Sequence, residues 1–403
     1  DLFETLLFNP LSINQCFAFN DENNLDPDRN ILFKSAPSKY FIEDEVNSLF
    51  SGRSKNNIDF SLMHINARSL YAHLDSLKSL LARLTKQFSI IGISETWLND
   101  NNYDLVNIQG YSYISNHRKD KTGGGVGIYL QDTLDYKILP KCTLSNSEVI
   151  ESLFIEISVP QGKNTIVGVI YRPPNNRTSD FLELLSSIVS HATKGNKHCY
   201  IMGDFNLDLF HYSEHMPTQE FLDCLFSFSL FPLISKPTRL TSHSATLIDN
   251  IFRNSVSSHK NGLIINDLSD HLPIFSVNCD LNLPKTNTNL TFTRNFSDKN
   301  ISKFRDLLSN IKWTDINSHS DPNKHTMIFL INRYSNLYNS CFPLRPVKGQ
   351  ASRFLKTPWI TPALLKSIRK KNLMYKKLVA NYDSTRETKY KSYKNKLTHL
   401  IRI

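Results

Sequence analysis

The chain has 403 residues, too many for one typical domain, and a net charge of +10. Six cysteines, at 16, 142, 199, 224, 279 and 341, are scattered without short paired spacing, which argues against a disulfide framework or a zinc site and suits a reducing compartment. No charged-then-apolar leader stands at the start, and no apolar run nears the roughly 18–20 residues of a membrane span, so neither a secreted nor a membrane protein is expected. The opening at Asp1 suggests a piece of a longer protein. Charge is uneven: residues 353–403 hold 14 Lys/Arg against 2 Asp/Glu, a net of +12, which leaves −2 for the rest. A basic tail on a near-neutral body points to a polyanion partner, most simply nucleic acid.

Residues 1–58 are polar and read as a weakly structured extension. A strand runs from Phe60 to Asn66, followed by Leu70, Leu74, Leu77, Leu81, Leu84 and Phe88 at the three-and-four spacing of an amphipathic helix. A second buried strand starts at Ser89 and ends on Glu95. Strand, helix, strand with a polar residue at each strand end is how open α/β folds place their sites. Gly123 to Gly127 lacks the spacing of a phosphate loop and leads into a strand, so it reads as an entry loop. Leu153–Val159 and Thr165–Tyr171 form a hairpin pattern, the second arm ending in Tyr171-Arg172-Pro173-Pro174. Ser179 and Asp180 can cap the next helix, through Leu182, Leu185 and Ile188.

The stretch Cys199 to Asn206 is the centre of the pattern. Its apolar strand is broken at Gly203, and Asp204 and Asn206, two apart, project the same way. A helix opens at Pro217-Thr218, and two further apolar stretches then set Asp249 and the pair Asp270-His271 against strand-like neighbours. Beyond Asp280 the composition turns to Asn, Thr and Lys, marking residues 59–280 as one domain, 281–355 as a helical linker and 356–403 as a basic helical segment capped by Thr361 and Pro362.

Taken singly, each strand-end residue has a plainer reading: Glu95 as a cap on the next turn, Tyr171 as a core ring, Asp249 as a satisfied strand polar, His271 as a core histidine. Together Asn66, Glu95, Tyr171, Asp204, Asn206, Asp249, Asp270 and His271 form one chemical set. Carboxylates and amide oxygens without a Cys/His cluster suit a hard cation, Mg²⁺ or Mn²⁺. A histidine beside carboxylates can stay protonated toward a phosphate or move a proton. The set fits phosphodiester hydrolysis: a metal neutralises phosphoryl charge, a carboxylate activates water, and an alkoxide leaves in line.

In order along residues 60–280, Asn66 in His-Ile-Asn-Ala-Arg-Ser-Leu, Glu95 in Ser-Glu-Thr-Trp-Leu, Tyr171-Arg172-Pro173-Pro174, Gly203-Asp204-Phe205-Asn206, Thr246-Leu247-Ile248-Asp249 and Ser269-Asp270-His271 resemble the endonuclease/exonuclease/phosphatase superfamily. Within it, they look most like the apurinic-endonuclease-like domain of LINE-type non-LTR retrotransposons. The tail from Pro358-Trp359-Ile360 resembles the connector that precedes a reverse transcriptase in such elements. The resemblance implies an α/β, four-layer sandwich: two mainly antiparallel β-sheets flanked by helices, followed by the basic helical segment. It implies a metal held by Glu95 with Asn66 and Asp270, water activated by Asp204 and oriented by Asn206, His271 paired with Asp249 at the phosphate, and Tyr171 on a phosphate oxygen or the leaving group.

The implied activity is Mg²⁺-dependent nicking of DNA that leaves a 3′-hydroxyl. Candidate nucleic-acid contacts are Arg172, Arg239, Lys366, Arg369, Lys370 and Lys371, with 238–246 as a DNA-facing loop and element RNA as a second partner of the basic tail. The site of action would be the nucleus, after synthesis in the cytoplasm. Abasic-site repair or a phosphatase activity on the same fold, and a binding module without catalysis, are the alternatives. No Tyr/Phe-x-Asp-Asp sequence is present, so no polymerase activity is expected of these residues.

Overall fold

The computed structural model of the protein describes residues 38–50, 58–119, 121–159, 162–174, 176–195, 197–241, 244–255, 259–283, 292–294, 296–310, 334–346, 361–380 and 383–402. The readings made for residues 1–37 and for Pro358-Trp359-Ile360 lie outside the described residues.

In chain order, β1 (Lys39–Phe41) and α1 (Glu43–Phe50) precede β2 (Ile58–Asn66), α2 (Leu70–Arg83) and β3 (Ile90–Ser94). Next come β4 (Tyr111–Asn116), β5 (Val126–Gln131), β6 (Tyr136–Ile138), β7 (Leu144–Asn146), β8 (Ile150–Ile157) and β9 (Thr165–Tyr171). They are followed by α3 (Thr178–Ala192), β10 (His198–Asp204), α4 (Met216–Ser227), β11 (Phe231–Pro232), β12 (Arg239–Leu240), β13 (Ala245–Thr246), β14 (Asp249–Arg253), β15 (His259–Ile264) and β16 (Ile274–Leu283). One seven-stranded sheet has the order β1-β15-β16-β2-β3-β5-β4. The other has the order β11-β14-β10-β9-β8-β6, with β7 also paired to β8. Pairing is antiparallel except at β1–β15, β2–β3 and β9–β10. The last two are joined through α2 and α3, the crossover that parallel neighbours require.

Alternation along the strands builds the layers. On β2 and β3, Leu62 and Ile90 join the core shared with the second sheet, while Met63, Ile65, Ile91 and Ile93 join a second core with Leu70, Leu74, Leu77 and Leu80 of α2. On the far side, Phe181, Leu185 and Ile188 of α3 and Phe221 of α4 pack with the strands of the second sheet. The result is helices, sheet, sheet, helices. Two glycines set the closeness of this packing. A Cβ on Gly92 would stand 2.6 Å from Val169 Cγ2 and 2.8 Å from Met202 Sδ, between the sheets. A Cβ on Gly203 would stand 1.9 Å from the Ile170 carbonyl oxygen.

The structure corrects three expectations. The polar extension is folded over residues 38–50: β1 pairs with β15, and Val46 and Phe50 of α1 are buried in the α2 core. Short, charged elements such as these carry too little periodicity to be seen in isolation. The α3 helix starts at Thr178, one residue before Ser179, and Arg177 at its cap makes no side-chain cap bond. The linker is not wholly helical: β17 (Phe292–Arg294) pairs with a later strand, and α5 (Asp298–Ser309) and α6 (Ser335–Cys341) precede that partner, β18 (Leu344–Pro346).

Residues 286–353 form a compact unit of their own, in which Phe304 packs against Tyr334, Tyr338 and Phe342. The basic helices α7 (Pro362–Ala380) and α8 (Ser384–Arg402) belong to the same compact unit as the sheets. Thr361 caps α7 as expected, its Oγ1 accepting from the Leu364 N–H at 3.2 Å. No helix among the described residues is long and apolar enough to cross a membrane.

Gly203→Ala is expected to destabilise the fold by more than about 3 kcal/mol, because the clash is with backbone that cannot rotate away. Thermal melting checks this. A variant melting with the wild type would show that β9 and β10 can part at this level.

Candidate active site

Strand register brings the site together. In the second sheet Asp204, the last residue of β10, pairs with Tyr171 at the end of β9 and with Asp249 at the start of β14. In the first sheet Asn66 pairs with Ser94, and Glu95 follows directly. The two rims meet through Asn66, whose Nδ2 donates to Glu95 Oε1 at 2.9 Å and to Asp204 Oδ2 at 2.7 Å. The Asn66 Oδ1 accepts from the Arg68 N–H at 3.2 Å. The amide therefore turns its hydrogens to the carboxylates, so Asn66 orients two acids rather than offering them an oxygen.

The backbone at this rim is unusual. Of the six described non-glycine residues with positive φ, five are Arg68, Ser69, Glu95, Trp97 and Asn206, between 42° and 86°. Such conformations cost on the order of 1–3 kcal/mol each and persist where surrounding structure imposes them. Here the imposing contacts are visible: Trp97 Nε1 donates to Glu95 Oε2 at 3.1 Å, and the Trp97 N–H donates to the Gly124 carbonyl. Gly123, Gly124 and Gly125 also have positive φ, and the Arg118 guanidinium lies where a Gly124 Cβ would be. The glycine run is thus an entry loop wrapped on Arg118, which in turn pairs with buried Glu151.

Asp204 and Asp249 are both buried. Burial, then the Asp249 charge, pushes the Asp204 carboxyl up to about 7. Asp249 titrates in the other direction. Burial opposes its charge, but His271 outweighs burial and holds it below the usual carboxylate range. His271 Nδ1 and Asp249 Oδ2 are 2.7 Å apart. Burial disfavours the imidazolium, yet Asp249, with Asp204 and Asp270 adding, raises His271 to about 9. Ligand atoms of Asp204, Asp249 and His271 lie within 4.8 Å of one another, and the imidazolium already supplies the positive charge among them.

Glu95 is half-buried, accepts only the two neutral hydrogen bonds from Asn66 and Trp97, and forms no salt bridge among the described residues. Asp270 is drawn aside: Arg68 and Arg239 both donate to its Oδ2 at 2.9 Å, while its buried Oδ1 has no hydrogen-bond partner. An open hard-oxygen acid and an orphaned carboxylate oxygen fit a divalent cation. An open cleft of about 480 Å³ runs past Glu95, Trp97, Tyr171, Lys121 and Pro174. Burial, then Glu95 and Asp204, raises the Tyr171 hydroxyl, which keeps its proton.

Several predicted side chains are engaged elsewhere. Asn206 Nδ2 donates to the Arg172 carbonyl at 2.7 Å, and its own N–H donates to Asp204 Oδ1 at 3.0 Å. Arg172, expected to meet nucleic acid, is buried and donates to the carbonyls of Asn206 and Asn176, bracing the loop after β10. Lys371 is also turned inward, onto Asp267. Arg369 pairs with exposed Asp44 at 3.5 Å, Lys370 lies 5.3 Å over the Tyr393 ring, and Lys366 is exposed. Charge counting cannot tell a lysine facing solvent from one facing a carboxylate 104 residues away. Of the expected DNA-facing loop, β12 and β13 form a short hairpin with Arg239 bridged to His271, and residues 242–243 lie outside the described residues.

Sequence reasoning missed Arg68, Thr238 and His64. Arg68 stands at Asp270 and feels the charges of Asp270 and Glu95. Thr238 Oγ1 accepts from the Ile248 and Asp249 N–H groups, at 3.3 and 3.2 Å. His64 lies behind the acid pair: Nε2 is 3.1 Å from Ser94 Oγ and Nδ1 is 3.8 Å from Asp249 Oδ1. Burial lowers its pKa to about 4, so it stays neutral. Its signal was spacing, since His64 is two residues before Asn66 and shares its face of β2.

A profile of the Endonuclease/Exonuclease/phosphatase family matches residues 57–271, just over half of the chain. No curated protein matches. Among solved structures, the chain is similar to the endonuclease domain of TRAS1, a telomere-specific non-LTR retrotransposon, at 16% identity over 57% of this chain and 99% of that one, with a TM-score of 0.44. It is similar to the Xenopus laevis APE2 catalytic domain at 15% identity over 57% and 94%, with a TM-score of 0.44. The AP endonuclease LMAP from Leishmania major shares 13% identity over 66% and 98%, with a TM-score of 0.45.

His271 gains proton affinity in the fold, so its pairing with Asp249 stabilises fully below pH 6.5 and ceases to do so as pH rises through about 9. Metal-free melting is expected to show wild-type stability declining across that interval, a slope that Asp249→Asn removes. Parallel profiles for the two proteins would show that the pair takes up no proton on folding.

Proposed function

The chain belongs to the endonuclease/exonuclease/phosphatase family, and from that membership we propose that it is a metal-dependent DNA endonuclease that nicks target DNA and leaves a 3′-hydroxyl, as in target-primed retrotransposition. The observation that carries the reading is the Asn66 amide shared between Glu95 and Asp204, with the Asp249–His271 pair against it. That arrangement sets an open acid beside a buried one of raised pKa.

Glu95 and the unpartnered Asp270 Oδ1 would hold Mg²⁺ or Mn²⁺, with Asn66 fixing the Glu95 carboxylate rather than lending an oxygen. Such an ion, when bound, neutralises charge on a phosphate oxygen. Asp204, poised near neutrality, takes a proton from the attacking water. Asn206 acts through its N–H, which holds the Asp204 carboxylate in place. Asp249 fixes His271 through Nδ1 and keeps it charged, leaving Nε2 to donate toward a phosphate oxygen as negative charge develops. Tyr171 stays protonated beside Glu95 and donates to the phosphate or to the departing 3′-oxygen. Water adds to phosphorus as the bond to the 3′-oxygen breaks, giving a 5′-phosphate and a 3′-hydroxyl.

The retrotransposon setting rests on the six ordered motifs and on the connector-like tail. In this reading the protein acts in the nucleus. Exposed lysines of α7 and α8, among them Lys366 and Lys370, attract DNA or element RNA without reading sequence.

The full chain is expected to convert supercoiled plasmid to open circles in Mg²⁺ and not in EDTA. Asp204→Ala and His271→Ala should each lower the rate by about 10³-fold or more. A folded protein that leaves plasmid intact, while cleaving an abasic duplex or a phosphate monoester, would replace the nicking reading with repair or phosphatase chemistry.

A further inference from the structure

The basic C-terminal helices are seated by charges that face inward. Asp267, in the loop between β15 and β16, receives Lys371 of α7 and, at 3.5 Å, Lys394 of α8. The Asp267 and Lys371 side chains are only 15% and 12% exposed. Burial opposes charge on Asp267, and the two ammonium groups overcome it, holding the carboxyl below its usual range. The seat is broad. Ile368, Asn372, Leu378, Tyr390 and Leu397 are buried, and the rings of Tyr375 and Tyr390 stack 5.1 Å apart. Asn372 donates to Glu43 Oε1 at 2.8 Å, the oxygen that also accepts from Arg83 of α2. Lys376 donates to Glu45 Oε2 at 2.7 Å.

Asp267 opens the short loop that ends in His271. At its far end this loop is tied to the site: Ser269 Oγ donates to the Asn66 carbonyl at 2.6 Å and accepts from the His271 N–H at 3.1 Å, and Asp270 takes Arg68 and Arg239. At its near end the Asp267 carboxylate is held by the two lysines. A buried carboxylate stripped of its partners is strongly unfavourable, so the loop and the helices must move together.

We propose that α7 and α8 are a positioning element of the active site, in which Lys371 and Lys394 hold Asp267 and so set the loop that carries Asp270 and His271. The functional half of this inference rests on the nuclease reading above. The basic segment thereby has two faces with different work, one turned to phosphate and one to Asp267.

The test uses the full chain and two readouts, hydrogen exchange of the 266–271 amides and nicking kinetics. Asp267→Asn and Lys371→Met are each expected to speed exchange in that loop by about tenfold or more and to lower kcat by about tenfold, with KM for DNA within about twofold. Ser392→Ala, at an exposed uncharged position of α8, should alter neither. Should Asp267→Asn fail to fold, Lys394→Met, which removes the longer and more exposed contact, gives the same comparison. Unchanged loop exchange in folded variants, or faster exchange with kcat intact, overturns the proposal. A wild-type chain that nicks nothing would remove the nuclease reading, and the exchange measurement would still decide whether the helices hold the loop.

Discussion

The active rim depends on one side-chain amide. Asn66 has two amide hydrogens, and each is committed to a carboxylate from a different sheet. Without a donor between them, Glu95 and Asp204 would face one another as like charges at the open end of the sandwich. With it, the two sheets are registered at the level where Tyr171, Asp204 and Asp249 stand side by side. The left-handed residues Arg68, Glu95 and Trp97 lie on the chain segments that deliver this contact. Local strain is the cost of bringing two strand ends into one hydrogen bond.

Behind that rim four titratable groups share the same depth and carry different charges. His64 is neutral. Asp249 beside it is ionised, His271 is cationic, and Asp204 sits close to neutrality. Burial alone would discharge every one of these groups. What separates them is contact: Asp249 has the imidazole at 2.7 Å, whereas Asp204 has neutral donors and a second carboxylate nearby. Two acids in neighbouring strands thus acquire opposite proton affinities from their partners.

The fold and the rim were legible because both follow from short-range pattern. Apolar runs and three-and-four spacing give β2, β3, β8, β9, β10 and α2. Strand ends then carry Asn66, Glu95, Tyr171, Asp204 and Asp249, and register, once fixed by the buried faces, places them together. What stayed hidden depends on long-range partners. Arg172 and Asn206 are polar residues in a polar motif, and nothing local shows that they bond to one another. Asp270 looks like a free acid until Arg68 and Arg239 arrive from 202 and 31 positions away. The same applies to α1: its acidic first turn reads as solvated, yet Glu43 is buried against Arg83 and Asn372.

That last cluster has a consequence for how the protein comes into being. Glu43 and Asn372 are 329 positions apart, and Glu45 and Lys376 are 331 apart. Closing a loop of that length is slow, and contacts so remote form late in folding. During synthesis, α1 leaves the ribosome on the order of tens of seconds before Lys376, whereas Arg83 reaches Glu43 far sooner, 40 positions on. Through that interval Glu45 lacks its ammonium partner, and Asn372 has not yet closed over the Glu43–Arg83 pair. The unit that holds the two sheets is therefore complete only once its most distal helices, α7 and α8, have been made.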